Sequence, residues 1–225
     1  MNYLALCQEV SRECGLSNAP TTVASQSGML GKIVNWTNRA YEDIQRDSPH
    51  WKFRRTSKSF ETIAGTDEYL SQASDVELID PEKFSLYSSL SDEGLLWYRE
   101  YNDFFPRYKL GTQNTSRPQD FTQGYDGTII LGPTPNDIYT ATFHYMQKVV
   151  SLAENTDDPI IPEAHHKTIV WKACIYYANN QEAHDFLQVA TQEYRTALSN
   201  LKRTYELTLS LKNVIKKIVT CNIHD

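Results

Sequence analysis

The chain contains no apolar run approaching the ~20 residues that a membrane-spanning helix needs. Its first ten residues, MNYLALCQEV, lack the basic start and long apolar stretch of a secretory signal. No membrane partner is therefore expected, and the protein is expected to be made and kept in the cytosol. Positive charge is not in excess either. The net charge of −6 at pH 7 argues against a general nucleic-acid binder, because phosphate binding needs a positive surface. No C-x-x-C pair occurs among the four cysteines, Cys7, Cys14, Cys174 and Cys221, so zinc-ribbon and thioredoxin readings fall away. Cys7 and Cys14 lie on one predicted helix at a separation of about 10 Å, too far for a disulfide. All four read as reduced thiols, mostly packed. The chain also lacks an H-E-x-x-H pair, a G-x-S-x-G turn, a glycine-rich phosphate loop and any internal repeat.

What remains is a 225-residue chain long enough to bury a substantial core, with 40% hydrophobic and 22% charged residues. Its 14 tyrosines outnumber its 8 phenylalanines. A ring with a polar tip suits surfaces buried against a partner as well as half-wet sheets.

Helical periodicity occupies both ends. Tyr3, Cys7, Val10 and Cys14 form one stripe, stopped by Gly15, and Leu30, Ile33, Val34, Thr37, Tyr41 and Ile44 form a second, ended by Ser48-Pro49. Near the other end a seam runs through His166, Ile169, Val170, Ala173, Tyr177 and Asn180. From about residue 183 the longest regular signal follows, through Phe186, Leu187, Ala190, Tyr194, Ala197, Leu198, Leu201 and Tyr205.

The middle has a different period. Loose alternation in WKFRRTSKSFETI, a short strand in DVELID stopping before Pro81, and a hairpin in FTQGYDGTIILGPTP are predicted. DIYTATFHYMQKV gives the clearest strand signal. LLWYREYNDFFPRY begins like a strand, and Pro106 limits any helix there. The expected fold is α+β: a helical bundle from residues 1–50 and 160–208, a β-rich insertion over 51–159 and a C-terminal arm over 209–225.

The stretch EAHHKTIVWKACIYYANNQEAHD (163–185) concentrates histidines, carboxylates and Cys174, and invites a metal or nucleophile reading. Adjacent His165 and His166 point about 100° apart on a helix, and no ligand pair stands at three or four spacing. His184 belongs to another helix or turn, and Cys174 has no adjacent base in sequence. Glu163 follows Pro162 at a helix start, where a carboxylate suits the positive helix end. The simpler reading is a bundle helix with polar residues on its exposed side. Isolated carboxylates such as Glu42, Asp43, Glu68 and Glu100 could in principle flank a glycosidic bond at ~5–9 Å, which sequence cannot place. No catalytic residue, metal or cofactor is assigned.

Three features point to binding. The aromatic run Phe84, Tyr87, Trp97, Tyr98, Tyr101, Phe104, Phe105 and Tyr108 could stack on sugars or bases, but more often such a run is strand core plus a buried contact surface. Trp97, Tyr98, Tyr101, Phe104, Phe105 and Tyr108 are therefore candidates for an interface with a second subunit or another partner. Lys52, Arg54, Arg55 and Lys58 gather in WKFRRTSK, a set that suits nucleic acid or an acidic partner, although a solvated strand face is the commoner explanation. Finally, Leu209, Leu211, Val214, Ile215, Ile218, Val219 and Ile223 lie among Lys212, Lys216 and Lys217. Such a terminus is either a last helical turn folded onto the core or an arm docking on something else, and its basic charge on an acidic chain favours the arm.

NYLALCQEVSRECGLS, VNWTNRAYEDIQRDSPHWKF and PIIPEAHHKTIVWKACIYYANNQEA resemble the head-to-tail adaptor (neck, or head-completion) proteins of tailed bacteriophages. The likeness covers both helical ends; the middle is compatible in length and character. It implies a structural virion protein in the neck or tail region, assembled in the host cytoplasm. It further implies a ring, usually of twelve copies, docked beneath the portal protein, with residues 209–223 reaching the portal and the β insertion facing the next neck or tail protein. Double-stranded DNA would pass without sequence-specific binding. Twelve copies at −6 make about −70, a channel to which DNA would not adhere by counterion release. Some short-tailed-phage relatives are linked to cell-wall hydrolysis, so a peptidoglycan hydrolase and a glycan-binding tail module stand as alternatives; no motif places either activity on particular residues.

Overall fold

The computed structural model describes residues 1–206, so residues 207–225, and with them the whole of the proposed arm, lie outside the described residues. In chain order the elements are α1 (Tyr3–Glu13), α2 (Gly28–Arg46), β1 (Arg55–Glu61), β2 (Glu68–Tyr69), β3 (Val76–Tyr87), β4 (Gly94–Leu95) and β5 (Trp97–Tyr98). They continue with α3 (Tyr101–Tyr108), β6 (Asp120–Gln123), β7 (Ile129–Gly132), β8 (Thr140–Gln147), α4 (Lys167–Asn180) and α5 (His184–Tyr205). The fold is α+β, with a strand-rich middle between helical ends. Two compact units result: Met1–Phe53 with the chain from Val149 on, and Arg54–Lys148.

In the helical unit, α1 starts on Asn2, whose side-chain oxygen accepts the Ala5 N–H at 2.9 Å. It stops where Gly15 takes φ +67°, a left-handed turn that lets Gly15 and Leu16 donate back to Arg12 and Ser11. Tyr3, Leu6 and Val10 from α1 meet Ile33, Tyr41 and Ile44 from α2 and Ile169, Val170 and Ala173 from α4 in one buried cluster. Two buried donors find backbone partners within it. The Tyr3 hydroxyl donates to the Val34 carbonyl at 2.9 Å, and the Trp51 indole N–H to the Ile44 carbonyl at 2.8 Å. Helix α5 packs chiefly along α4. Of its residues, Ala190 and Leu201 are fully buried, while Phe186, Leu187, Tyr194 and Leu198 are half-buried. The four helices therefore form a three-helix core with α5 laid on its α4 side.

That arrangement corrects the expected seam of α4. Asn180 is exposed and Tyr177 half-buried, whereas Thr168, Cys174 and Ala178 are buried. A helix covered by α1 and α2 on one side and α5 on another buries more than one stripe.

The β unit holds two four-stranded sheets, ordered β1-β8-β3-β4 and β2-β7-β6-β5. Phe60, Phe84, Leu86, Phe121, Leu131 and Phe143 join them in a single aromatic-rich core. The predicted hairpin is β6 and β7, antiparallel with Phe121 opposite Leu131. β3 runs past Pro81, where the sequence predicted a stop. Its pairing with β8 shifts between Ile79 and Phe84, so Pro81 sits in an irregularity where its missing N–H removes no ladder bond. Pro106 likewise lies inside α3, a helix of only 8 residues that ends two residues later.

Candidate functional site

The three histidines of residues 163–185 stand in different surroundings. His166 is buried at the head of α4, with Nε2 2.8 Å from the Ile161 carbonyl oxygen. A carbonyl can only accept, so Nε2 carries the proton and Nδ1 is left to accept from the Met1 amino group at 3.0 Å. Burial, first, and that amino group hold the His166 pKa below its ordinary value. His165 packs edge-on to Tyr205, and His184 is exposed at the start of α5. Among the described residues, no group of three His, Cys, Asp or Glu side chains is placed to hold a metal ion.

The isolated carboxylates are engaged where they stand. Glu42 accepts from Arg46 at 3.0 Å and from the Ser151 hydroxyl at 2.6 Å. Asp43 accepts from Tyr176 and pairs with Arg46 at 3.5 Å. Glu68 takes Lys109 at 2.6 Å, and Glu100 is exposed at the start of α3. The basic stretch is also partnered: Lys52 donates to the Thr204 carbonyl, Arg54 pairs with Glu77, Arg55 with Asp80 at 3.2 Å and Lys58 with Asp75 at 3.1 Å. A phosphate would have to displace these partners, which leaves little drive for DNA at this stretch.

Part of the aromatic run faces outward, while Phe84 and Phe104 are fully buried. β5 is a two-residue strand pairing in parallel with β6, Trp97 opposite Asp120 and Tyr98 opposite Phe121. Leu96, just before it, points into the core, while Leu95 and Trp97 are 62% and 72% exposed. Together with Leu86 and Arg117, they line an open groove of about 360 Å³. Arg117 is fixed there, donating to the Asp92 carboxylate at 2.9 Å and to the Leu86 carbonyl at 2.9 Å.

α3 forms the second part of the surface. Phe104 is fully buried beneath it, so this candidate interface residue is a core residue and supports the surface from below. Its ring and that of Tyr108 lie against Gly132, where a Cβ would come within 2.8 Å and 2.6 Å of them. Only glycine allows the helix this close to β7. Asp120, buried on β6, accepts the Tyr108 hydroxyl at 2.6 Å and pairs with Arg99. Burial and this bond raise the Tyr108 pKa, and the carboxylate raises that of Arg99. One buried carboxylate thus pins both ends of the segment from Arg99 to Tyr108.

On the outer side, Phe105 is exposed and Tyr101 half-buried. Tyr125, at the tip of the β6–β7 turn, is 86% exposed, with its ring 5.0 Å from Tyr101 and its hydroxyl 3.3 Å from Asn102 Oδ1. The sequence reading passed over Tyr125 and Leu95. An aromatic at the tip of a glycine-flanked turn was the available signal for the first; Leu95 offered none beyond its place in an apolar run. The surface presents rings and aliphatic side chains over firmly paired charges. Exposed rings and aliphatic side chains of this kind are enriched at protein interfaces.

One protein family, described as the SU10 adaptor protein, has a sequence model that matches residues 1–212 of the chain. No curated protein matches it.

Proposed function

The chain belongs to the SU10 adaptor protein family, which makes it a bacteriophage adaptor and a structural component of the virion, and from that premise we propose that it is the head-to-tail adaptor of its particle. In this reading about a dozen copies form a ring beneath the portal protein, the next neck or tail protein attaches below, and double-stranded DNA passes through without sequence-specific contact. The protein works by fitting other proteins and catalyses nothing. The match over residues 1–212 carries the reading. The outward aromatic surface supports it, because burying one Trp or Phe side chain contributes about 1.5–3 kcal/mol and a few such anchors make an interface.

Two surfaces have separate roles in the proposal. Residues 209–223, with Leu209, Leu211, Val214, Ile215, Ile218, Val219 and Ile223 among Lys212, Lys216 and Lys217, bind the portal. Trp97, Tyr98, Tyr101, Phe105 and Tyr108, the last packed on the buried Phe104, contact a neighbouring copy or the tail component. Ring closure then multiplies a weak single-copy contact by raising effective concentration. The net charge of −6 per copy, repeated around a ring, leaves DNA free to slide.

Deleting residues 209–225 tests the arm. The truncated protein is expected to keep its circular-dichroism spectrum and to lose attachment to DNA-filled heads in a sedimentation assay. Attachment at the full-length level would overturn the arm's role.

A further inference from the structure

We propose that Cys14 and Cys174 form a latent disulfide site that can covalently tie α1 to α4. Their Sγ atoms are 3.7 Å apart, in thiol–thiol contact across the helical unit, although 160 residues separate them in sequence. Both positions are held. The Cys14 backbone N–H is bonded to the Val10 carbonyl at 3.0 Å where α1 closes on Gly15. Cys174 is fully buried on α4. The same two helices are also joined by Lys167, two turns before Cys174, which bridges Glu9 and Glu13. A disulfide needs its sulfurs at about 2.0 Å, so closure requires an approach of roughly 1.7 Å, within reach of side-chain rotation and a small helix shift.

The two thiols differ in a way that orders the chemistry. Cys14 is partly exposed and can meet an oxidant, whereas Cys174 is shut away from one. The neighbouring Cys14 sulfur and burial hold the Cys174 thiol far above the ordinary range, so it reacts second and slowly. With a peroxide as oxidant, Cys14 Sγ attacks one peroxide oxygen and the O–O bond breaks. This leaves a sulfenic acid on Cys14 and releases one water. Cys174 Sγ then attacks the Cys14 sulfur, the S–O bond breaks, and the hydroxyl departs with the Cys174 proton as a second water. In total the two thiols lose two electrons and two protons, and hydrogen peroxide becomes two waters.

A reducing cytosol keeps such a pair open, and a virion component leaves that environment when the particle is released. The bond would close a loop containing the whole β unit, and long closed loops restrict the unfolded chain most. The purified, reduced full-length chain can be treated with hydrogen peroxide, alkylated after denaturation and mapped by peptide mass spectrometry. The expected product is a cross-linked Cys14–Cys174 peptide pair two hydrogens lighter than the free peptides. The melting temperature should rise by roughly 5–15 °C, reversibly with dithiothreitol. Cys14→Ser should abolish both changes, and its partly exposed position makes it the safer variant should Cys174→Ser fail to fold. Recovery of both cysteines as alkylated thiols, sulfinic acid on Cys14 without a cross-link, or a bond from Cys14 to any other cysteine would overturn the proposal. Mapping the unaltered chain distinguishes these outcomes without any variant.

Discussion

Trp51 in the helical unit and Trp97 in the β unit show two uses of one residue type. Trp51 is fully buried, donates its indole N–H to Ile44 and stacks on Phe53 at 5.1 Å. Trp97 stands on a two-residue strand, largely in solvent. The units differ in the same sense. Among the described large apolar residues of the helical unit, only Val150 and Val189 are exposed, while the β unit displays Leu95, Trp97, Leu110, Tyr125 and Ile138 among others. One unit turns its apolar residues inward and derives stability from them. The other has a complete aromatic core and a further set of rings outside it. In the proposed function these outer rings are assigned to contact with another molecule.

Substitutions should separate these two uses. Trp51→Ala removes a buried ring and the shorter of two hydrogen bonds to the Ile44 carbonyl, which keeps the Asp47 N–H at 3.3 Å, and is expected to destabilise the isolated chain by about 3–5 kcal/mol in urea unfolding. A loss below about 1 kcal/mol would mean that the helical unit does not depend on its core in this way. Gly132→Ala in the β unit should cost about 1–3 kcal/mol, because the new methyl group meets the rings of Tyr108 and Phe104 and must push α3 outward. Tyr108 fluorescence or local amide exchange along α3 would register the displacement.

Mild acid offers a sharper division. His166 in the helical unit has a folded-state pKa below its ordinary value of 6.5, with the Met1 amino group, Glu163 and Asp158 as its charged neighbours. The unfolded chain therefore takes up that proton first, and the His166 contribution is present above about pH 6.5 and lost as the pH falls. In the β unit the shifts are also downward, but they belong to carboxylates and act at lower pH. Asp75, bonded to Tyr145 and Lys58, and Asp92, bonded to Ser88, Ser89 and Arg117, lie below the ordinary 3.8. Their contributions hold until the pH drops below about 3.8. Between these limits, amide exchange corrected for intrinsic rates should rise in the helical unit before it rises in the β unit. The reverse order would contradict the assignment. Trp97→Ala is expected to change the stability of the isolated chain by no more than about 0.5 kcal/mol, the smallest effect of the set.

Much of the fold was legible because periodicity reports which faces are buried. Gly15 as a helix stop, the Ile33–Ile44 stripe, the β6–β7 hairpin and the alternating strand at 140–147 all follow from local pattern. The α+β class follows from their order. Pro81 predicts a strand stop, but tertiary pairing carries the chain on through a strand irregularity, while Pro106 limits α3 to a helix that ends two residues later. The α4 seam was read as one stripe because a sequence does not show that a helix will be covered on two sides. For the candidate surface, sequence located the aromatic run but could not assign inside and outside, since Phe104 and Phe105 differ only in which side of α3 they occupy. The proximity of Cys14 and Cys174 was beyond reach, as no local pattern links residues on helices so distant in the chain.

The central claim is that the outward rings of the β unit are a binding surface in an assembled particle. Cryo-electron microscopy of the full-length protein mixed with the portal complex of its own particle tests this most directly. The account predicts an added ring of density in which Trp97, Tyr98 and Phe105 are covered by a neighbouring copy or by the next component once it is supplied. An added ring with those three side chains in open solvent on every face, or no added density at all, would contradict it.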